Sequence, residues 1–171
     1  MEIKLVQMSI EIEKKFLISS TDFKKDAFKK SYIKQGFLNS NKNRVVRIRI
    51  IDEQGFITVK GISFDGGTSR FEWEKEIPKS EAEQLFLLCE KEVIEKIRYF
   101  VKTNIHILEV DEFLGKNIGL CIAEVELSDA GELFDRPKWL GEEVTGKKKY
   151  YNNNLSKRPY ETWKRKPQNE T

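Results

Sequence analysis

Several stretches of this chain alternate between charged and mainly apolar residues, and this alternation limits the possible folds more than any other feature. In residues 11–16, the charged Glu11, Glu13 and Lys15 occupy every second position. Successive side chains of a β-strand point to opposite faces, so these three share one face of a strand. Two carboxylates and an ammonium in a row suit a site that holds a metal cation and an anion together.

The same alternation recurs on later predicted strands. Its charged members are Arg47, Arg49, Arg70, Glu72, Glu74, Glu76, Lys96, Arg98, Glu109, Asp111, Glu124 and Glu126, and Lys60 lies near the end of another strand. An antiparallel sheet with one face in water also produces such a pattern, and for any single strand that is the simpler explanation. Solvated faces usually contain Ser, Thr, Asn and Gln as well, whereas these carry almost only full charges. We therefore predict that the charges face inward, where they must be paired or bound to a ligand.

Turn and helix signals between these stretches predict an α+β fold, a closed antiparallel β-barrel with helices packed on the outside. The predicted strands cover residues 9–17, 32–38, 44–51, 56–61, 69–77, 94–102, 105–113 and 119–128. Helices or helical turns are predicted at residues 22–30, 81–91, 130–134, 137–141 and 146–150, with one more from Leu155. The residues expected to point outward, under helices or loops, are Val46, Ile48, Phe71, Trp73 and Val125.

The length of the chain fits one domain, residues 1–171, with residues 1–8 as an N-terminal extension and 156–171 as a C-terminal helix or tail. Cys89 and Cys121 form no C-x-x-C pair, and we expect them to be reduced in a cytoplasmic protein. The N-terminus lacks the apolar segment of a signal peptide, and no apolar run approaches membrane-spanning length. We therefore expect neither export nor a membrane partner.

Charge and composition also restrict the partners. The net charge of +3 only weakly favours an anionic partner, and the aromatic residues are not interleaved with a basic patch, so we do not expect nucleic acid. His106, the single histidine, falls on the face opposite Glu109 and Asp111 and is expected to be structural. A polyphosphate with Mg²⁺ or Mn²⁺ would satisfy both kinds of charge, because carboxylates bind the hard cation and Arg and Lys bind phosphate oxygens.

The signature Glu11-x-Glu13-x-Lys15 resembles the ExExK motif of CYTH domains, the triphosphate tunnel metalloenzymes. Further matching motifs are Gln35-Gly36-Phe37-Leu38, Val46-Arg47-Ile48-Arg49-Ile50, Val59-Lys60-Gly61, Ser69-Arg70-Phe71-Glu72-Trp73-Glu74, Lys96-Ile97-Arg98-Tyr99, Glu109-Val110-Asp111, Ala123-Glu124-Val125-Glu126-Leu127 and Trp139-Leu140-Gly141-Glu142-Glu143-Val144-Thr145. The resemblance covers residues 9 to 155. It implies a closed antiparallel β-barrel tunnel that binds a triphosphate moiety and one or two divalent metals.

The resemblance also implies roles for individual residues. The chief metal ligands, for Mg²⁺ or Mn²⁺, would be Glu11, Glu13, Glu124 and Glu126. The catalytic residues would be Lys15, Glu72, Glu74 and Asp111. The phosphates would be bound by Lys15, Arg47, Arg49, Lys60, Arg70, Lys96, Arg98 and Lys148, with Lys147 and Lys149 as alternatives to Lys148.

The chain departs from the family pattern at Phe37, where related bacterial triphosphatases often have a tyrosine. That tyrosine is thought to partner the signature lysine, and a phenylalanine cannot form the hydrogen bond. Reduced activity or an altered pH optimum would follow. The alternative is that Phe37 belongs to the core and that Tyr32 or a water takes over the role of the tyrosine.

The function we expect is metal-dependent hydrolysis of a triphosphate, foremost inorganic triphosphate, by phosphoryl transfer to water. No Ser–His or Cys–His nucleophile can be assembled around His106, which agrees with that chemistry. Two alternatives stay open, an adenylyl cyclase that converts ATP to cyclic AMP and a non-catalytic polyphosphate- or nucleotide-binding module. The partner would be a small-molecule triphosphate, and the protein a monomer or homodimer.

Overall fold

The computed structural model of the chain describes residues 12–41, 43–64, 69–90, 93–129 and 131–163, without the side chains of residues 63, 64 and 69–71. Its strands are β1 (Ile12–Ile18), β2 (Ala27–Asn39), β3 (Val45–Ile51), β4 (Gln54–Phe64), β5 (Ser69–Ile77), β6 (Ile94–Thr103), β7 (His106–Phe113), β8 (Cys121–Leu127) and β9 (Leu140–Glu143). Its α-helices are α1 (Phe23–Asp26), α2 (Lys79–Phe86) and α3 (Asn152–Leu155). Short 3₁₀ turns cover Gly115–Asn117, Lys148–Tyr150 and Tyr160–Thr162.

The strands form one antiparallel sheet in the order β5-β4-β3-β2-β6-β7-β8-β1-β9. Most neighbours in the sheet are consecutive hairpin strands, whereas β2 pairs with β6 and β8 pairs with β1. A largely antiparallel sheet with few helices confirms the α+β class. Among the described strands, β5 and β9 are the two edges, so the pairing does not show the closed barrel that the sequence predicts.

The alternation of charged and apolar residues divides the sheet into two faces. Cross-strand register places Lys15 opposite Glu124, Arg98 opposite Asp111, and Lys60 opposite Glu72. Charged residues therefore meet charged residues along one side of the sheet. We call this side the charged face, and its described members are Glu13, Lys15, Arg47, Arg49, Lys60, Glu72, Glu74, Lys96, Arg98, Glu109, Asp111, Glu124 and Glu126.

The opposite side of the sheet is apolar and carries two hydrophobic clusters. One cluster contains Phe16 and Val125 beneath Trp139, and the other contains Ile48 beneath Phe86 of α2. Fully burying a side chain of this size contributes about 1.5–3 kcal/mol, so these clusters fix which side of the sheet is covered.

The predicted outward residues are partly confirmed. Val125 and Ile48 are buried on the apolar side, as expected. Trp73, in contrast, is 40% exposed, because it lies on the edge strand β5, beyond the reach of α2. The side chain of Phe71 lies outside the described residues.

A third cluster lies on the same side as the charges, which the alternation pattern does not predict. Leu17 follows Lys15 by two residues and Ile122 precedes Glu124 by two, so both share their face. We call this group the end cluster; it consists of Leu17, Ile94, Phe113, Leu120, Ile122, Val144, Tyr150, Leu155, Tyr160 and Trp163. The C-terminal segment thus covers one end of the charged face with apolar side chains.

Two predicted helical segments are shorter than expected. The helix expected at residues 22–30 covers only Phe23–Asp26, and β2 begins at Ala27, because this stretch pairs with β6 from Ala27 opposite Val101. The helical turn expected at residues 137–141 is a single turn, in which Leu140 N donates to the Pro137 carbonyl at 3.0 Å, and β9 begins at Leu140. A single pair of apolar residues at helical spacing stabilises a helix too little to compete with backbone pairing at a free sheet edge.

The turn predicted at residues 146–150 is confirmed as the 3₁₀ turn Lys148–Tyr150. The tail predicted from Leu155 contains the end of α3 and the turn Tyr160–Thr162, and its last residues, 164–171, lie outside the described part. No helix among the described residues is long and apolar enough to cross a membrane.

Candidate active site

The signature lysine lies between two carboxylates. The Lys15 ammonium donates hydrogen bonds to Glu13 on its own strand and to Glu124 on β8. Although burial would lower the pKa of Lys15, the two carboxylates outweigh it and raise that pKa. Burial and the neighbouring Glu124 raise the pKa of Glu13. This part of the site therefore favours an added positive charge.

A second network joins Lys96, Arg98 and Asp111. The Asp111 carboxylate accepts hydrogen bonds from Lys96 Nζ at 2.5 Å and from Arg98 Nε and Nη2 at 2.7 Å each. Burial would raise the pKa of Asp111, but the two cations lower it to about 2. Asp111 is 1% exposed and Lys96 2%, so removal of either would leave an uncompensated buried charge.

Arg98 connects the two networks. Its guanidinium contacts Glu109, and its Nη2 lies 3.4 Å from Glu124 Oε2. We call the connected side chains of β1, β6, β7 and β8 the acidic half of the charged face: Glu13, Lys15, Lys96, Arg98, Glu109, Asp111, Glu124 and Glu126. It has three cations and five carboxylates. A pocket of about 580 Å³ opens beside it, lined by Glu13, Glu109, Glu124 and Glu126 together with His106, Ser128 and apolar residues.

The other part of the charged face, on β3, β4 and β5, has a different charge balance. Arg47 Nη2 and Arg49 Nη2 both approach Glu74 Oε2, at 3.4 and 3.2 Å. Thr58 lies between them, donating to Glu74 at 2.7 Å and accepting from Arg47 at 3.2 Å. Two guanidinium groups thus share one carboxylate. We call Arg47, Arg49, Lys60, Glu72 and Glu74 the basic half; Lys60 Nζ lies 2.8 Å from Glu72 Oε2.

The two arginines are not fully satisfied by the protein. The Nε atoms of Arg47 and Arg49 are buried and have no hydrogen-bond partner among the described residues. Burial first, and then the positive charge of Arg49, lower the pKa of Arg47 to about 10. Buried donors without acceptors are costly, so this arrangement favours an additional anion.

The chain belongs to the CYTH domain family. The sequence profile of that family, described as "CYTH domain", matches residues 9–160. An inorganic triphosphatase of Acetivibrio thermocellus is 48% identical over 158 residues, which are 92% of this chain and 99% of that protein. An inorganic triphosphatase of Nitrosomonas europaea is 35% identical over 150 residues, 85% of this chain and 96% of that protein.

Solved structures agree with the family membership. A crystal structure of an inorganic triphosphatase aligns with a TM-score of 0.66 and 31% identity, over 85% of this chain and 97% of that chain. A protein from Pyrococcus furiosus aligns with a TM-score of 0.52 over 70% of this chain and 80% of its own, and at 24% identity it shows the fold alone.

Three predicted site residues of this CYTH protein, Glu11, Arg70 and Lys148, are not among the described members of the charged face. Glu11 lies outside the described residues, and so does the side chain of Arg70. Lys148 lines a different pocket, with Lys149, Lys157 and Arg158, and no member of the charged face lines that pocket. Its role in phosphate binding on the charged face stays a prediction.

Phe37 lies on the charged side of the sheet, opposite Arg47 in the pairing of β2 with β3, and is 8% exposed. The suggestion that Tyr32 replaces the family tyrosine is wrong. Tyr32 lies on the opposite side of the sheet, and its hydroxyl donates a hydrogen bond to Glu95. The aromatic residue near the signature lysine is Tyr151, whose ring centroid is 5.7 Å from Lys15 Nζ.

Some residues of the site were missed from the sequence. Thr145 accepts a hydrogen bond from the backbone of Lys15 at 3.0 Å, and Tyr151 lies over the lysine, yet both come from an irregular C-terminal segment. Glu109 belongs to the alternating pattern and was detectable, although no role was assigned to it. His106, expected to be structural, has a ring nitrogen 2.8 Å from Glu132 Oε1 and also lines the pocket beside Glu124.

Proposed function

We propose that this CYTH protein hydrolyses inorganic triphosphate bound along the charged face, with the help of a divalent metal at the acidic half. One observation carries the proposal: Arg47 and Arg49 are half-buried, share a single carboxylate and keep buried Nε donors that have no partner among the described residues. A chain of phosphates supplies several acceptor oxygens to such paired guanidinium groups. The two bacterial relatives are inorganic triphosphatases, which supports the same substrate.

The donors of the acidic half fit a divalent metal. Carboxylate oxygens are the ligands that Mg²⁺ and Mn²⁺ prefer, and Glu13, Glu124 and Glu126 line one pocket. Burial first, and then the negative charge of Glu124, raise the pKa of Glu13, and a bound dication would offset both effects. We propose that these three residues and Glu11 hold Mg²⁺ or Mn²⁺. When bound, the metal would neutralise phosphate charge and orient the phosphate chain.

The ligand set is not preassembled in the described chain. No group of three or more His, Cys, Asp or Glu side chains in those ranges is already arranged to hold a metal. Lys15 explains this, because its ammonium occupies the space between Glu13 and Glu124. We propose that Lys15 turns from these carboxylates towards a phosphate oxygen when substrate and metal are present, which releases both carboxylates.

The remaining cations would hold the phosphate chain. We propose that Arg47, Arg49 and Lys60 bind its oxygens, together with Arg70, and that Arg98 contributes from the acidic half. For the two halves to reach one substrate, the sheet must curl, and we propose the closed barrel of the family for the substrate-bound protein. Its phosphates would then be surrounded by charged side chains with little water between them.

The carboxylates have different roles in this proposal. Asp111 accepts hydrogen bonds on both oxygens and has a pKa of about 2, so we propose that it positions Lys96 and Arg98 instead of accepting a proton. Glu72 and Glu74 are more exposed, and each contacts a cation that the phosphate would attract. Once released, they are placed to orient the attacking water.

An activity panel tests the proposal. The substrates are inorganic triphosphate, ATP, thiamine triphosphate, long-chain polyphosphate and pyrophosphate, each with Mg²⁺ and with Mn²⁺. The products measured are phosphate, pyrophosphate and cyclic AMP. We expect kcat/KM to fall in the order inorganic triphosphate, ATP, pyrophosphate, because pyrophosphate leaves some cations unpaired. Faster formation of cyclic AMP from ATP would assign the protein to the cyclase alternative, and binding without turnover to the non-catalytic one.

A further inference from the structure

The C-terminal segment contains a basic pocket that the proposed function does not use. Its volume is about 490 Å³, and the residues that line it are Lys148, Lys149, Asn154, Lys157, Arg158, Thr162 and Trp163. Four of these seven are cations and none is acidic. We propose that this pocket is a second anion site that binds a chain of phosphates, separate from the charged face.

The charge of the segment supports an anionic ligand. Residues 144–171 contain eight Lys or Arg and two Asp or Glu, a formal charge of +6, whereas residues 1–143 contain 23 and 26, a formal charge of −3. The positive charge of the whole chain therefore comes from its C-terminal sixth. Such a concentration attracts anions to this end of the molecule.

Nearby carboxylates neutralise the pocket only in part. Hydrogen bonds from Ser40 and Lys147 are the main causes that lower the pKa values of Glu90 and Glu142, and the charges of Lys157 and Lys149 add to them. Glu142 pairs with Lys147, which does not line the pocket. For the four lining cations, no carboxylate among the described residues lies within the 4 Å of an ion pair. An open basic surface would be solvated in the same way, but a concave pocket places several ammonium and guanidinium groups around one volume. A ligand with several linked negative charges gains most from that arrangement.

The floor of the pocket is rigid. The Trp163 ring packs edge-on against Tyr150 at 5.4 Å and against Tyr160 at 5.1 Å between centroids. Its indole NH donates to the Arg158 carbonyl at 3.1 Å, and Lys149 Nζ lies 5.0 Å from its centroid. These contacts join the pocket to the end cluster and hold Trp163, with Lys149 beside it, in place before any ligand arrives, which reduces the cost of binding.

The size of the pocket favours a phosphate chain over a single phosphate. One phosphate ion is short compared with a pocket of about 490 Å³, whereas a triphosphate chain is longer, carries more charge and can reach several of the lining cations. ATP carries the same chain and is a second source of it. The inference goes beyond the proposed function and does not require the charged face to be catalytic.

The test is a titration of the ¹⁵N-labelled full chain with sodium tripolyphosphate in excess EDTA, so that no metal is free and no turnover occurs. We expect the Trp163 indole and the amides of Lys149, Asn154 and Arg158 to shift and saturate. Lys157→Glu with Arg158→Glu should weaken this binding at least about tenfold, because two attractive charges become repulsive. ATP should bind similarly, and orthophosphate about tenfold more weakly.

Matched variants separate this site from the charged face. Lys75→Glu with Lys138→Glu changes the net charge equally at exposed positions elsewhere and should bind as the wild type does. Arg47→Ala with Arg49→Ala should leave the affinity seen at Trp163 unchanged, whatever it does to activity. Lys157→Gln with Arg158→Gln serves as the milder variant if charge reversal prevents folding.

Three results would overturn the inference. The first is no shift at Trp163 and its neighbours at millimolar tripolyphosphate. The second is an unchanged affinity when Lys157 and Arg158 are both replaced. The third is loss of the Trp163 response in the Arg47→Ala, Arg49→Ala variant, since the response would then originate at the charged face. Equal affinity for orthophosphate would reject the phosphate chain as the ligand.

Discussion

The two halves of the charged face carry similar residues but differ in how their charges are paired. In the acidic half, every described cation contacts at least one carboxylate, and Asp111 receives three hydrogen bonds from Lys96 and Arg98. In the basic half, Arg47 and Arg49 share Glu74 and retain unpartnered Nε atoms. The cations of the acidic half are therefore satisfied by the protein itself, whereas the arginines of the basic half are not.

This difference distinguishes charges that stabilise the fold from charges that are available to bind a substrate. A buried charge whose partner is removed destabilises the protein, because its desolvation is no longer compensated. A buried charge that already lacks a full partner contributes little to folding, and removing it relieves part of that cost. Substitutions in the buried network of Lys96, Arg98 and Asp111 should therefore affect stability, and substitutions of Arg47 and Arg49 should affect substrate binding.

The largest effect on stability is expected for Asp111→Asn. It leaves Lys96 and Arg98 buried without their shared carboxylate, and we expect the free energy of unfolding to fall by about 3–5 kcal/mol. Urea denaturation of the metal-free protein measures it. The matched control is Glu109→Gln, which removes a more exposed contact of the same Arg98 and should cost about 1 kcal/mol or less. Equal effects of the two variants would contradict the comparison.

The pH dependence of that difference follows from the lowered pKa of Asp111. Because its pKa falls from 3.8 unfolded to about 2 folded, the ionised carboxylate stabilises the native state above pH 4. This contribution is lost as the pH falls through about 2. The stability gap between wild type and Asp111→Asn should therefore be constant near neutrality and shrink between roughly pH 4 and pH 2. Urea midpoints across this range test it; a gap that widens on acidification would refute it.

Metal-dependent turnover should depend on Glu124 and Glu126, the two β8 carboxylates of the acidic half. In Glu124→Gln with Glu126→Gln, we expect kcat to fall by more than about 100-fold with the fold intact, because two candidate ligand charges are lost. Glu95→Gln, on the opposite side of the sheet, is the control. Unchanged turnover in the double variant would rule out this metal site.

Substitutions in the basic half should weaken substrate binding and leave the stability of the protein unchanged. We expect Arg49→Ala to lower kcat/KM for triphosphate by about 10–100-fold, the loss typical of a charge-assisted hydrogen bond, and by less for pyrophosphate. The metal-free protein should be as stable as the wild type or slightly more so, since one of two adjacent cations has gone. A loss of stability comparable with Asp111→Asn would show that the basic half maintains the fold after all.

The smallest effect is expected at Phe37. Because Phe37 faces the charged side opposite Arg47, Phe37→Tyr places a hydroxyl next to the proposed substrate. We expect kcat to rise by no more than about tenfold, the value of one hydrogen bond, with little change in KM. Steady-state kinetics on a variant with an unchanged melting temperature measure it. An equal or lower kcat would mean that Phe37 only packs.

The sequence was most informative where a side chain's face is set by a strand. The alternation of charged residues correctly placed Lys15, Arg47 and Glu124 on one side, because the two-residue period of a strand leaves no other choice. It also identified the family motifs in order. Pairing of neighbouring strands followed from the turns, so most of the sheet order was predictable.

The sequence was less informative where position depends on contacts from distant parts of the chain. Tyr151 and Thr145 reach Lys15 from a segment without periodicity, and no local signal indicates that destination. Leu17 and Ile122 break the rule that apolar residues lie on the covered side, because the C-terminal segment packs on the charged side there. Trp73 remained exposed since it lies on an edge strand.

The end cluster makes the two ends of the charged face different. Leu17 and Ile122 fill one end of it under Tyr150, Leu155 and Trp163, whereas the other end opens into the pocket beside Glu126. In the closed barrel that we propose for the substrate-bound protein, a phosphate polymer would therefore enter only by its terminus and could not thread through. Cleavage of a long polymer would be limited to terminal units, and product would leave by the route through which substrate came in.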